Sequence, residues 1–324
     1  MSSRLAHTLF GDIGATNARF SLFAKGVLGP VAWFEVARHP RFRDAVAEFL
    51  SRHRGEAPIA AALIAVAGPV VEGRGVLTNC PWVIDARELQ ATFGFTQVRI
   101  VNDFEAAAFS LPHLTAADLQ PIGGGRAVAG APMAVLGPGS GLGVACLVRG
   151  TARLVVVATE GGHATMAATS EREAALIDHL RRHFGHVSAE RVISGMGLEN
   201  IYRAIAALDG LDVPARSAAE ITKAALEGSC RSAAAALDAF CAFLGAFAGN
   251  VALMFGARGG LYIAGGIVPR IVEFTRHSKF REQFEAKGRF RPYLAAIPSN
   301  IIVHPAATFV GLQSLAQSDP EVAP

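Results

Sequence analysis

The sequence predicts an α/β protein of two domains, and three observations carry that prediction. The chain has 324 residues, more than one small core accommodates. Apolar strand-like runs alternate with segments of helical spacing. The two halves also echo each other. Strand, glycine-rich turn, strand occurs over residues 5–23 and again over 133–148. The run Ala62-Leu63-Ile64-Ala65-Val66-Ala67-Gly68 resembles Gly260-Leu261-Tyr262-Ile263-Ala264-Gly265-Gly266. The echo implies a duplicated α/β unit with a cleft between the copies. Ligands in such folds collect at the carboxyl ends of strands.

The elements follow in order. Residues 5–10 are apolar, the glycine cluster at 11–17 follows, and 18–23 resume the apolar pattern, which predicts a β-hairpin. Over 40–54, Phe42, Val46, Phe49 and Leu50 share one helical face. Residues 59–67 are continuously apolar and end in Gly68-Pro69, as a buried strand does. A second such run, 98–101, ends at Asn102-Asp103, and a helix is expected over 104–111, stopped by Pro112. Residues 115–132, rich in Gly, Ala and Pro, read as a crossing between domains. The second hairpin spans 133–148, with a third strand over 153–158. Helices are expected to dominate 171–258. Strands over 260–264 and 301–304 and a last helix over 308–317 complete the chain.

Composition narrows the function. Hydrophobic residues make up 51% of the chain and charged residues 18%, enough to bury a large core and too apolar for disorder on a domain scale. Lys plus Arg total 30 against 27 acids, a thinly spread charge with no basic run to mark nucleic-acid binding. Cys80, Cys146, Cys230 and Cys241 have neither C-x-x-C nor zinc spacing and read as free thiols in a reducing compartment. No long apolar stretch follows the N-terminus as in a signal peptide, and no apolar run approaches the ~20 residues that cross a bilayer. A cytoplasmic protein without a membrane or nucleic-acid partner is expected.

Four clusters carry chemistry. In Gly11-Asp12-Ile13-Gly14-Ala15-Thr16-Asn17, glycines allow close backbone approach to an anion, and Thr16 and Asn17 add donors. Asp12 could hold a hydrated Mg²⁺. The same residues also suit an ordinary hairpin turn. Gly137-Pro138-Gly139-Ser140-Gly141-Leu142-Gly143 can present its amides as an anion-binding nest, although it is neither a Walker A loop nor a G-x-G-x-x-G fingerprint. Together, two such turns would clamp a phosphate chain. Asn102-Asp103 ends a strand and opens a helix. Capping needs one of the two, which leaves the other for proton transfer from an alcohol. Glu160-Gly161-Gly162-His163 and Glu190 offer carboxylates suited to vicinal hydroxyls. Read singly, His163 suits a loop and Glu190 the first turn of a helix. A zinc site from Glu160, His163 and Glu190 lacks ligand-pair spacing.

Seven segments in order carry a resemblance that runs nearly end to end. They are Phe10-Gly11-Asp12-Ile13-Gly14-Ala15-Thr16-Asn17-Ala18-Arg19, Leu77-Thr78-Asn79-Cys80-Pro81-Trp82, Val101-Asn102-Asp103-Phe104-Glu105-Ala106, Leu136-Gly137-Pro138-Gly139-Ser140-Gly141-Leu142-Gly143, Glu160-Gly161-Gly162-His163, Glu190-Arg191-Val192-Ile193-Ser194-Gly195 and Ile263-Ala264-Gly265-Gly266-Ile267. The chain resembles the bacterial glucokinases of non-ROK type, in the superfamily of hexokinase, actin and Hsp70. The resemblance implies two actin-like (ribonuclease H-like) α/β domains, with mixed sheets flanked by helices and an interdomain cleft. The small domain would be 1–112 plus 304–324 and the large one 113–303.

It further implies ATP-dependent phosphorylation of glucose to glucose 6-phosphate, Asp103 as general base and closure of the cleft on the sugar. Glucose contacts would come from Asn102, Asp103, Gly141, Glu160, His163 and Glu190. ATP contacts would come from Gly11, Asp12, Gly14, Ala15, Thr16, Asn17, Gly137, Gly139 and Ser140, with Gly265 and Gly266 near the adenosine. Mg²⁺ would be held through water at Asp12, and the enzyme would be a homodimer. Cys80 stands where the resemblance leads one to expect a larger apolar side chain. The cysteine-rich zinc motif of ROK kinases is absent from the sequence. Rival readings are a kinase for mannose or fructose, and a non-catalytic actin-like nucleotide switch. The switch would need the two turns but not the Asn102-Asp103, Glu160-to-His163 and Glu190 set. A sugar-sensing regulator would need a DNA-reading segment, and none is visible.

Overall fold

Uninterrupted apolar sequence suits a strand covered on both faces. In the computed structural model, which describes residues 7–53, 58–77, 80–151 and 153–318, the run Ile-Ala-Ala-Ala-Leu-Ile-Ala-Val forms the strand Ile59–Val66 within a six-stranded sheet. It pairs in parallel with His7–Ile13 on one side and Gln97–Asn102 on the other. His7–Ile13 turns through Gly14-Ala15-Thr16 into the antiparallel strand Asn17–Ala24, which carries the short strands Val27–Leu28 and Ala32–Glu35.

Leu9, Ile13, Ala62, Ile64 and Val66 share a core with Phe42, Ala45, Val46 and Phe49 of the helix Phe42–His53. The alternate residues Phe10, Ala61, Leu63 and Ala65 are equally buried. The helices Asp103–Ser110 and Ala307–Ser318 pack on these strands and on each other, so the sheet is covered on both faces. Gly311 permits that helix contact, because a Cβ there would run into the Ala106 carbonyl.

The second six-stranded sheet runs, edge to edge, Leu119–Gly123, Ser299–Ile302, Gly260–Ile263, Met133–Pro138, Leu142–Arg149, Leu154–Thr159. Here the echo seen in the sequence takes physical form. Met133–Pro138 turns through Gly139-Ser140-Gly141 into the antiparallel strand Leu142–Arg149 and pairs in parallel with Gly260–Ile263. His7–Ile13 does the same with Asn17–Ala24 and Ile59–Val66. The core of this half is filled from the helices Gly195–Leu208, Ala218–Leu226 and Arg231–Phe255.

The chain packs as two compact units. One is Met1–Leu114, Gly150–Val156 and Pro305–Pro324, and the other is Thr115–Arg149 and Val157–His304. No sequence feature announces that Gly150–Val156 groups with the first.

Several expectations need correction. Both glycine clusters are mostly strand. Gly11 and Asp12 belong to His7–Ile13, and Gly137 and Pro138 to Met133–Pro138, which leaves short turns. Within its strand, position 11 suits glycine because a Cβ there would press on the Ile64 side chain at 2.8 Å. Residues 115–132 are more than a crossing, since Leu119–Gly123 joins the second sheet by pairing with Ser299–Ile302. The helix at 103 yields to a 3-10 turn, Leu111–His113, that contains Pro112.

The 25-residue helix Arg231–Phe255 is long and apolar enough to cross a bilayer by length and composition, although Asp238 and Asn250 interrupt its apolar sequence. A buried core helix passes the same test, and 72% of its most apolar window is buried inside the protein. Residues 5, 6 and 54, Thr78 and Asn79 of the second segment, and 319–324 of the last expected domain piece lie outside the described residues.

Candidate active site

Parallel strands deliver their carboxyl ends to one edge of a sheet, and the first unit uses that edge. Ile13 pairs with Val66, and Val66 with Asn102, so the chain leaves all three strands at the same level. The first hairpin turn, Gly68 and Asn102-Asp103 therefore emerge together. Within the turn, Gly14 donates its N–H to the Asn17 carbonyl at 3.0 Å. Among the described residues, no hydrogen bond engages the amides of Ala15 and Thr16, so both can serve an anion.

Asp12 lies one residue before the end of its strand. Its Oδ2 accepts from Arg19 Nε at 2.9 Å and from Arg19 Nη2. No hydrogen bond engages Oδ1 among the described residues. No cluster of three or more metal-ligating side chains occurs among the described residues either. A single carboxylate with one unengaged oxygen fits an ion like Mg²⁺, which keeps most of its waters and draws other ligands from substrate phosphates.

Asn102 and Asp103 divide the labour at the helix start. Asn102 is the cap, its Oδ1 accepting from Phe104 N at 2.8 Å and Glu105 N at 3.3 Å. Its Nδ2 donates to the Gly68 carbonyl at 3.0 Å, which ties the helix start to the neighbouring strand end. Asp103 is the first helical residue, and its Oδ1 also accepts from Phe104 N, at 3.0 Å. The expectation that capping would need only one of the pair is therefore too simple, because both side chains reach the Phe104 amide. Burial pushes the Glu105 carboxyl up from its ordinary value, with Arg99 Nη2 at 3.3 Å opposing the shift.

In the second unit, the turn Gly139-Ser140-Gly141 closes with Gly139 N–H donating to the Gly141 carbonyl at 2.8 Å. That uses one amide of the expected nest. The amides of Ser140 and Gly141 have no hydrogen bond among the described residues. Gly265, with φ +86, packs where a Cβ would meet the carbonyl of Pro138, so it emerges beside the same hairpin.

Glu190 sits in the 3-10 turn Ala189–Arg191 and does not cap it. Its Oε2 instead accepts from Leu142 N at 2.9 Å, and Gly195 N donates to the Gly139 carbonyl at 2.9 Å. Glu160 precedes the turn Gly161–His163 and His163 ends it, with carboxylate and imidazole 4.0 Å apart and both well exposed. Ala189 N donates to the Ala164 carbonyl at 2.8 Å, which joins this turn to the one carrying Glu190.

Gly137, Gly139, Ser140, Gly141, Glu160, His163, Glu190 and Gly265, with Gly266 adjoining, thus belong to one neighbourhood of the second unit. Gly11, Asp12, Gly14, Ala15, Thr16, Asn17, Asn102 and Asp103 belong to the first. Sequence reasoning missed Gly68 as the acceptor that fixes Asn102, and Arg19 as the partner of Asp12. Arg19 carries a signal in hindsight, because a two-stranded hairpin over 7–24 sets it opposite Asp12.

The sequence profile of the glucokinase family matches residues 9–319. Glucokinases of Paramagnetospirillum magneticum and Nitrobacter hamburgensis are 46% identical over 316 residues and 39% identical over 313. Each alignment covers 97% of this chain and 98% of the relative. The crystal structure of a glucokinase from an Antarctic psychrotroph has a TM-score of 0.85 at 36% identity, covering 97% of this chain and 99% of that one. A ROK family glucokinase from Streptomyces griseus, solved with glucose and AMPPNP, has a TM-score of 0.65 at 20% identity over 97% and 100% of the two chains, a likeness of fold alone. The fold is that of the actin-like sugar kinases. Within that class the chain belongs to the glucokinase family, and it is an enzyme that phosphorylates glucose.

Proposed function

We propose that the enzyme transfers the γ-phosphoryl group of ATP to the 6-hydroxyl of glucose with Asp103 as general base. The observation that carries the reading is the common level of Ile13, Val66 and Asn102, which brings Asp103 and the first phosphate turn out at one sheet edge. In the transfer, the glucose O6 forms a bond to the γ-phosphorus as the bond to the ADP oxygen breaks, and the hydroxyl proton passes to Asp103. Asn102 keeps its helix start in place. Glu160 and Glu190 hold the sugar hydroxyls, because carboxylates make charge-assisted hydrogen bonds to them, with the His163 ring nitrogens and the Gly141 backbone as further partners. Ala15, Thr16 and Asn17 in one hairpin and Ser140 in the other hold the phosphates, while Gly11, Gly14, Gly137 and Gly139, whose backbone is engaged in strand or turn, shape those hairpins. Gly265 and Gly266 lie by the adenosine.

Asp12 would hold Mg²⁺ through a water, and the ion would neutralise charge on the phosphates. The domain limits proposed are 1–112 plus 304–324 and 113–303. Closure on the sugar, a homodimeric state and a cytoplasmic location belong to the same proposal. Closure excludes water as a competing acceptor. A fall in radius of gyration on adding glucose, read by small-angle scattering, checks it.

The deciding experiment is a coupled assay with ATP·Mg²⁺ across glucose, mannose and fructose, with polyphosphate as alternative donor. Glucose should have the highest kcat/KM. A higher value for mannose or fructose would reassign the sugar.

A further inference from the structure

Arg19 has four partners within the first unit. It stands directly across the strand ladder from Asp12, to which Nε and Nη2 donate. Nη1 donates to the Pro305 carbonyl at 2.7 Å, at the point where the chain re-enters this unit. The rings of Trp33 and Phe309 lie 5.1 and 5.6 Å from its Cζ. The Arg19 and Asp12 side chains are 17% and 13% exposed.

Stability alone is a weak reason for such a pair, since a mostly desolvated ion pair returns little net free energy. The geometry does something more specific. It pins one carboxylate oxygen, removes the rotation of the Asp12 side chain, and leaves Oδ1 unengaged among the described residues. The planar guanidinium is held on two rings and a carbonyl, so it does not follow the carboxylate if the carboxylate moves. A lysine ammonium could not span Asp12 and Pro305 in this way.

We infer that Arg19 is a positioning residue for phosphoryl transfer, acting through Asp12 and anchored by the Pro305 carbonyl and the flanking Trp33 and Phe309 rings. The inference rests on the reading of Asp12 as the residue that holds the hydrated ion. It assigns the Asp12–Arg19–Pro305 connection to catalysis rather than to folding.

The test compares Arg19→Gln, Arg19→Lys, Asp12→Asn and the double variant Asp12→Asn/Arg19→Gln with the parent enzyme. Arg19→Gln should lower kcat by roughly 10–100-fold, as losses of outer partners around metal sites do. Arg19→Lys should recover only part of it, at an unchanged thermal midpoint. Calorimetric glucose affinity should stay at the parent value in both. Binding of a non-hydrolysable ATP analogue should weaken with Mg²⁺ present and not in EDTA. The double variant should be no slower than Asp12→Asn alone.

Additive losses, a matching loss of glucose affinity, or equal weakening with and without Mg²⁺ would overturn the inference. Asp12→Asn at full kcat would overturn the reading of Asp12 and the inference with it. A slow Asp12→Asn beside an Arg19→Gln of normal speed would overturn the inference alone.

Discussion

At position 103 the chain places a carboxylate on the first residue of a helix whose cap is already Asn102. Its Oδ1 accepts from the Phe104 amide at 3.0 Å, which steadies the side chain at the sheet edge. Asp103→Ala should therefore lower kcat by roughly 10²–10⁴-fold, with a smaller loss of glucose affinity in equilibrium titration. A variant with near-normal kcat would remove Asp103 from the base role. Glu160 differs in kind. It is exposed and faces His163 at 4.0 Å, an arrangement suited to a ligand more than to the fold. Glu160→Gln should raise the KM for glucose more than that for ATP, and equal rises in steady-state kinetics would count against a sugar contact. Both residues were legible as candidates because carboxylates after apolar runs suggest strand ends. The partners that fix Asn102 and Glu190 were not, since Gly68 and Leu142 lie 34 and 48 residues away from the groups they meet.

Among the elements, the second hairpin shows how a small residue protects a polar contact. A Cβ on Gly141 would lie 2.6 Å from Glu190 Oε2, the oxygen that accepts from Leu142 N. Gly141→Ala should push that carboxylate away and raise the KM for glucose about 10-fold, the effect of one lost charge-assisted hydrogen bond. The thermal midpoint should change little, because the displaced group is the end of a flexible side chain. Gly311 gives the contrasting case. A Cβ there meets backbone of the helix Asp103–Ser110, which cannot yield without moving that helix. Gly311→Ala should cost about 1–3 kcal/mol of stability by overpacking, seen as a lower midpoint in thermal denaturation. The helix Ala307–Ser318 was legible from its spacing. Its packing on Asp103–Ser110 was not, since the nearby His113–Ser314 hydrogen bond spans 201 residues of chain.

For the whole molecule, acid stability follows from carboxylates held below their ordinary values. Asp118 and Glu220 are lowered first by the backbone amides of Thr115 and Ser217, in capping boxes at two helix starts. A lowered folded value means that stability is present above the ordinary values of 3.8 and 4.5 and lost as pH falls through the folded ones. Glu105 and Asp238, raised by burial, act in the opposite sense: their contribution is present at low pH and lost as pH rises. The thermal midpoint should fall as pH drops below about 5, and the fall should be shallower in Asp118→Asn/Glu220→Gln. An equally steep fall in that variant would place the acid sensitivity elsewhere.

Local sequence was enough for the alternation of strands and helices, the two glycine-rich hairpins and the polar clusters at strand ends. Those features depend on local periodicity and on backbone freedom, which a short stretch of chain fixes alone. Folding was needed to make residues 119–123 a strand, to group 150–156 with the first unit and to set Glu190 on Leu142. The same holds for the grip of Arg19 on Asp12 and Pro305 together. Most of these depend on a partner far away in sequence. Hydrogen bonds and packing across such distances exist only once the chain has closed on itself.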